Sequence, residues 1–213
     1  MKKIFLAFII SICTFNQSLA LIEVDITRGN LDPLPIAVSP LHVDIESVEI
    51  EGIKVKELGS NISSIIERNF KNTGLFNPLK KDAFVQKPDI AHLKPRFEDW
   101  RLIKAQALVT GKLLVKNGKL KVEFRLWDLT AAKEITALAF TTTPTNWRRV
   151  AHIISDKIYE RLTGEEGYFD TRIIYVSESG PKSGRVKKLA IMDQDLSQIH
   201  IRPCRRRVKC RTR

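Results

Sequence analysis

Cysteine is scarce in this sequence, which has 3 cysteines in 213 residues and none between residues 21 and 195. Cys13 lies near the N-terminus, and Cys204 and Cys210 lie near the C-terminus. A disulfide framework, which stabilises many small exported domains, is therefore excluded for residues 21–195. A cysteine-based zinc site is excluded from the same region because it has no cysteine pair.

Long apolar segments are also lacking after residue 15. Ile4 to Phe15 is apolar but too short to span a hydrocarbon core of roughly 30 Å as a helix. Two lysines precede it and the small residues Ser18 and Ala20 follow it, which predicts a signal peptide over residues 1–20, cleaved between Ala20 and Leu21. We therefore expect an exported chain without a transmembrane segment after cleavage.

Acidic residues are absent from residues 196–213, which carry seven basic ones: Arg202, Arg205, Arg206, Arg207, Lys209, Arg211 and Arg213. Without these and the two lysines of the signal peptide, the chain has 27 basic and 24 acidic residues. The net charge of +12 is thus mainly a property of this basic tail. Clustered arginines can neutralise phosphates, so binding to anionic surfaces or nucleic acid is the alternative function. The predicted export and the nearly balanced charge of the other residues argue against this alternative. Nucleic acid is therefore not the partner we expect.

Catalytic motifs are missing as well. The histidines have no HExxH spacing and are predicted to be surface or packing residues: His42, His92, His152 and His200. GPKSG at 180–184 lacks the ending of a phosphate-binding loop and is predicted to be a turn between strands. Two carboxylate pairs, Glu165-Glu166 and Asp193 with Asp195, are expected to be solvated. The sequence therefore predicts no catalytic residues, no cofactor-binding residues, no metal ligands and no cofactor; a hydrolase is a remote alternative.

Two amphipathic helices and several strands are predicted from periodicity. The first helix carries Leu58, Ile62, Ile65, Ile66 and Phe70 and ends at Gly74; the second carries Trp147, Val150, Ile154, Ile158 and Leu162 and ends at Gly164. Predicted strands are Ile36–Val38, Ala107–Lys116, Lys119–Asp128, Glu134–Thr142, Arg172–Ser177 and Arg185–Met192, and Asn117-Gly118 predicts a tight hairpin. Phe97, Trp100 and Trp147 are expected in the core, and residues 42–55 are either a hairpin or an irregular insertion.

This pattern predicts an α/β or α+β fold, in which two helices pack on one face of a small mixed sheet over residues 35–163. Glycines at 164 and 167 predict a hinge-like linker over 164–170. The two strands that follow need more sheet to bury their apolar face, so a second domain begins there and is not completed.

The mature N-terminus is predicted to be an extended arm over residues 21–34, because Gly29, Pro33 and Pro35 disfavour regular structure. A segment of this kind either stays unstructured or adds a strand to the open sheet edge of a partner. The predicted partner-binding residues are Leu21, Ile22, Glu23, Val24, Asp25, Ile26, Thr27, Arg28, Gly29, Asn30, Leu31 and Asp32.

Several segments resemble the TolB family of the Gram-negative Tol-Pal system. PIAVSPL at 35–41, SIIERNFKNTGLFNPL at 64–79 and ALVTGKL at 107–113 are similar to its N-terminal domain. WRRVAHIISDKIYERLTGEEGYFDTRIIYVSESG at 147–180 and KKLAIMDQD at 187–195 are similar to the family's second helix, linker and first propeller strands. The segments follow the family order over residues 1–195.

The resemblance implies an N-terminal α/β domain followed by a six-bladed β-propeller, which begins at 171–195 and is not completed. It implies a non-enzymatic periplasmic adaptor between inner-membrane TolA and the outer-membrane lipoprotein Pal, acting in cell division and outer-membrane integrity. TolA binding falls on the arm, Leu21–Asp32. Pal binding is doubtful because the family's Pal surface lies on the propeller.

The sequence departs from the family in two places. Segment 42–57 is longer than expected, and after Asp195 the charge, cysteine content and pattern change together. We therefore expect residues 196–213 to be a basic tail produced by a frameshift or truncation. A propeller-like sequence in another frame of the coding DNA is the expected finding.

Overall fold

The computed structural model describes residues 32–43, 49–50, 53–182, 184–196 and 199–202. The predicted signal peptide, the arm up to Leu31 and the tail from Pro203 lie outside these residues. Among the described helices, none combines the length and apolarity that crossing a bilayer requires.

A mixed sheet forms the centre of the fold, in the order β5-β1-β6-β7-β8. Its strands are β1 (Leu34–Val38), β5 (Phe76–Pro78), β6 (Ala107–Lys116), β7 (Lys119–Asp128) and β8 (Lys133–Thr142). β1 pairs in parallel with β5 and β6, whereas β6, β7 and β8 pair antiparallel. All the strands predicted in this part of the chain are present, and β5 is an additional short one.

The β6–β7 hairpin has the predicted register, with Lys116 opposite Lys119. Asn117 and Gly118 both have positive φ, 52° and 69°. This is the conformation of a type I′ turn, whose twist matches that of the flanking strands. The dipeptide was therefore sufficient to predict the pairing of two ten-residue strands.

Two long helices cover one face of the sheet, as predicted. They are α1 (Val55–Thr73) and α4 (Trp147–Thr163), and each ends at a glycine in the left-handed conformation. Their apolar residues join the helix-facing side of the sheet in one large core. The packing confirms the mixed α/β architecture.

The opposite face of the sheet is covered by two short helices that the sequence analysis did not predict, α2 (Pro88–Ala91) and α3 (Phe97–Leu102). Trp100 is 1% exposed there and donates from Nε1 to Gln86 Oε1 at 2.9 Å. Phe97 packs against this second core, and Trp147 is buried in the first one. All three aromatic residues expected in the core are therefore packed.

Segment 42–57 contains three short strands before α1. β2 (His42–Val43) pairs in parallel with β6. β3 (Glu49–Ile50) and β4 (Ile53–Lys54) form an antiparallel pair, as in the hairpin alternative. Residues 44–48 and 51–52 lie outside the described part of the chain.

A second, three-stranded sheet follows, in the order β11-β10-β9. β9 (Arg172–Ser179) and β10 (Val186–Asp193) form the expected antiparallel pair. Between them the N–H of Gly184 donates to the carbonyl of Pro181 at 2.9 Å, in agreement with the predicted turn. β11 (Ile199–Arg202) pairs antiparallel with β10, within the segment assigned to the basic tail. The sheet is thus larger than the predicted pair of strands, and no closed propeller occurs among the described residues.

Candidate functional site

The predicted partner-binding arm enters the described structure at Asp32, which is exposed. Leu21 to Leu31 lie outside the described residues. Two residues after Asp32 the chain becomes β1, where Leu34 is 8% exposed and its N–H donates to the carbonyl of Leu75 at 2.9 Å. The arm is therefore attached to a central strand of the main sheet.

A group of polar side chains lies where α1 and α4 meet the end of β10. We call it the junction cluster: Arg68, Asn69, His152, Asp193 and Asp195. One ligand-type atom from each of His152, Asp193 and Asp195 lies within 4.8 Å of the other two. Arg68 Nη2 is 3.2 Å from Asp195 Oδ2, and the Asp195 side chain is fully buried.

His152 is 2% exposed, and its ring is held in a defined orientation. Its Nδ1 lies 3.1 Å from Asn69 Nδ2, which also donates to Ser155 Oγ at 2.8 Å. Its other nitrogen, Nε2, has no hydrogen-bond partner among the described residues and lies 3.9 Å from Asp195 Oδ2. The unpartnered nitrogen therefore faces the carboxylate of Asp195.

Burial of His152 lowers the pKa of its imidazole below the usual 6.5, although four carboxylates oppose the effect: Asp195, Asp193, Asp170 and Asp156. Removing the ring from water penalises the charged form more than these carboxylates favour it. The imidazole is therefore neutral at pH 7.

A second set of contacts joins α4 to the segment before β9. The two carboxylate oxygens of Asp156 accept hydrogen bonds from the N–H groups of Phe169 at 2.6 Å and Asp170 at 3.0 Å. Burial raises the pKa of Asp156 despite these bonds, which favour its ionised form. Arg149 Nη2 lies 3.1 Å from Asp170 Oδ2. The predicted hinge-like segment 164–170 is thus packed against α4.

One expectation about polar residues was wrong. Asp193 and Asp195 are part of the junction cluster and are not simply solvated. The rings of His42 and His92 stack with centroids 4.3 Å apart, as packing histidines can. These contacts join residues far apart in the chain, and no local spacing signals them.

The lowered pKa of His152 predicts that stability falls on acidification. In the unfolded chain the imidazole titrates near 6.5, and in the fold it titrates at lower pH. Between these values the unfolded chain binds more protons, so stability rises with pH. The contribution of His152 is therefore present above its unfolded pKa and lost as the pH falls through its folded pKa. Its slope is at most about 1.4 kcal/mol per pH unit, the limit for one proton.

Urea unfolding at a series of values between roughly pH 5 and 7.5 measures this slope. We expect His152→Gln to have a smaller slope than the unsubstituted chain, and His92→Gln to retain it. Equal slopes in the unsubstituted and His152→Gln chains would contradict the prediction.

Comparison with known proteins gives a consistent result. The profile of the family described as "TolB amino-terminal domain" matches residues 22–135. The curated "Tol-Pal system protein TolB" of Pelagibacter ubique (strain HTCC1062) is 67% identical over 190 residues, covering 88% of this chain and 43% of the relative. The chain thus spans less than half the length of this curated relative.

Among solved structures, TolB from Acinetobacter baumannii aligns with a TM-score of 0.64 at 22% identity, over 80% of this chain and 38% of that one. This likeness supports the fold. A PelC dodecamer from Paraburkholderia phytofirmans aligns with a TM-score of 0.40 at 17% identity, over 64% of this chain and 94% of that one.

Proposed function

This chain belongs to the TolB amino-terminal domain family, and from this membership we propose that it is a periplasmic, non-enzymatic component of a Tol-Pal system. The single observation that carries the proposal is the family match over residues 22–135, which begins inside the predicted arm. The 67% identity to a curated Tol-Pal system protein supports it. Cleavage of the predicted signal peptide after Ala20 would deliver the chain to the periplasm.

The proposed role is that of an adaptor, which links inner-membrane TolA to the outer membrane during cell division and supports envelope integrity. TolA would bind the arm, Leu21–Asp32, by strand addition, because the segment alternates apolar and polar residues near its start. The attachment of the arm to buried β1 supports this role, since a docked partner would be held firmly on the domain. We assign no Pal contact to any residue of this chain.

We propose the domain division 1–20, 21–34, 35–163, 164–170, 171–195 and 196–213, with residues 171–195 supplying the first strands of a propeller. The antiparallel β9–β10 pair supports the unit at residues 171–195. β11 lies in the last unit, so a deletion that removes the basic tail without removing a strand begins at residue 203.

Binding of TolA to the chain starting at Leu21 tests the proposed function. Deleting residues 21–32 should abolish binding in surface plasmon resonance, whereas deleting 203–213 should leave it unchanged. Val24→Pro should weaken binding at least about tenfold, because proline removes a backbone donor from the added strand, and Val24→Thr should not. Unchanged affinity after deletion of the arm would overturn its role.

A further inference from the structure

We propose that His152, Asp193 and Asp195 form a binding site for a divalent transition-metal ion of the zinc class. Nothing in the proposed Tol-Pal function requires such a site. One imidazole and two carboxylates are a donor set that suits Zn²⁺, which takes nitrogen and oxygen ligands in tetrahedral sites. Three protein ligands leave one position for water.

The convergence of the three side chains is the first observation. A ligand atom of each lies within 4.8 Å of the other two, although they come from the middle of α4, the end of β10 and the turn after it. Bond lengths to Zn²⁺ are about 2.0–2.2 Å for nitrogen and oxygen, so ligand atoms must approach somewhat more closely around the ion. Asp193 is only half-buried at the strand end, where a small movement is possible.

The unpartnered nitrogen of His152 is the second, independent observation. Nε2 is buried, has no hydrogen-bond partner among the described residues and lies 3.9 Å from Asp195 Oδ2. A buried polar atom without a partner destabilises the fold, and a metal ion would satisfy it.

Asn69 provides the outer contact that metal-binding histidines generally have. Its amide lies 3.1 Å from His152 Nδ1, and its Oδ1 is buried without a hydrogen-bond partner. A half-turn of the amide group would place Oδ1 against Nδ1, which would then donate and leave the Nε2 lone pair for the metal. Ser155 Oγ, 2.8 Å from the same amide atom, would then turn its hydroxyl proton from the carbonyl of Ala151 to Oδ1.

Arg68 is compatible with the ion because each oxygen of a carboxylate has two lone pairs. Arg68 contacts Asp195 through Oδ2, the same oxygen that lies 3.9 Å from His152 Nε2, and the Arg68 side chain is 49% exposed. Oδ2 can therefore keep its hydrogen bond from Arg68 while it binds the metal, as hydrogen-bonded carboxylate ligands commonly do. A bound ion would therefore join α4 to the end of β10 and stabilise the contact between these two elements.

Zn²⁺ titration of the exported chain tests the proposal. The titrated protein carries Cys204→Ser and Cys210→Ser, because tail thiols would themselves bind zinc. We expect one Zn²⁺ per chain by calorimetry, and a melting temperature that rises with Zn²⁺ concentration. Asp193→Asn should weaken binding at least about tenfold and abolish the shift, whereas Glu178→Gln, on exposed β9, should change neither.

His152→Gln and Asp195→Asn should weaken binding as Asp193→Asn does. Melting each variant first in the presence of a chelator shows whether it is folded, so a loss of binding is distinguished from a loss of structure. Absence of Zn²⁺ binding by the folded double-serine protein, or unchanged affinity in folded Asp193→Asn, would overturn the proposal. Either result leaves TolA binding, and hence the proposed adaptor function, untouched.

Discussion

Replacing Phe169 with alanine should lower the free energy of unfolding by about 3–5 kcal/mol, the usual cost of truncating a buried aromatic residue. Phe169 is 0% exposed and lies in the main core. Its ring meets Phe70 and Tyr159 edge-on, at centroid distances of 6.3 and 5.8 Å. Urea unfolding followed by circular dichroism measures the change through the midpoint and slope of the transition.

The neighbouring Tyr168 provides the control, because it is an aromatic residue of the same segment but is 42% exposed. Tyr168→Ala should lower the free energy of unfolding by about 1 kcal/mol. If Phe169→Ala also cost 1 kcal/mol or less, segment 164–170 would behave as the loose linker that the glycines suggest. The difference between the two variants therefore separates a packed connection from a free hinge.

Trp100→Ala should also destabilise the fold by about 3–5 kcal/mol, through the second core on the opposite face of the sheet. Trp100 packs edge-on against Phe84 with centroids 5.0 Å apart. The indole also donates to Gln86 Oε1, and the same oxygen accepts a hydrogen bond from Arg96 N–H at 2.9 Å. The substitution removes both the packing and one partner of this buried amide.

Trp100→Phe separates the two contributions, because it keeps most of the ring packing and removes the donor. Gln86 Oε1 would still be hydrogen-bonded to Arg96 N–H, so we expect a smaller loss of about 1–2 kcal/mol. Leu102→Ala, at a residue 78% exposed in the same helix, should change stability by less than about 0.5 kcal/mol. Similar unfolding midpoints for Trp100→Ala and Leu102→Ala would show that the short helices do not pack as described.

Elements with a strong periodic pattern and a clear end signal were predictable from the sequence. Helices α1 and α4 carry an apolar stripe that stops at Gly74 and Gly164, and both glycines have the expected left-handed conformation. The β6–β7 pair was predictable because Asn117-Gly118 fixes the register. In each case a local feature determines local structure.

Short elements that depend on tertiary packing were not predictable. Helices α2 and α3 have four and six residues, too few for a periodic signal, and each packs on the second core through one buried residue, Ala91 in α2 and Trp100 in α3. β11 has the sequence Ile-His-Ile-Arg, and it was missed because these four residues were grouped with the basic tail by the composition of residues 196–213 as a whole. Its pairing with β10 is set by backbone hydrogen bonds. Composition reports on solvation and charge, not on strand pairing.

The junction cluster was unpredictable for a different reason. Asn69 and His152 are 83 residues apart, and Arg68 and Asp195 are 127 apart. Their side chains converge only because α1 and α4 pack side by side and the chain returns through β10. A single sequence has no signal that joins such positions, whereas the arm could be proposed because it is contiguous.

The position of β1 also determines how the domain responds to mechanical force. A pull on the chain before Leu34 acts along the axis of a strand that is bonded on both sides, to β5 and to β6. The backbone bonds at Leu34, Pro35, Ile36 and Ser39, each 2.9 Å long, lie across this direction and would be loaded together in shear. A force applied through the arm would thus have to break several hydrogen bonds at once, and not one after another, before the domain unfolded.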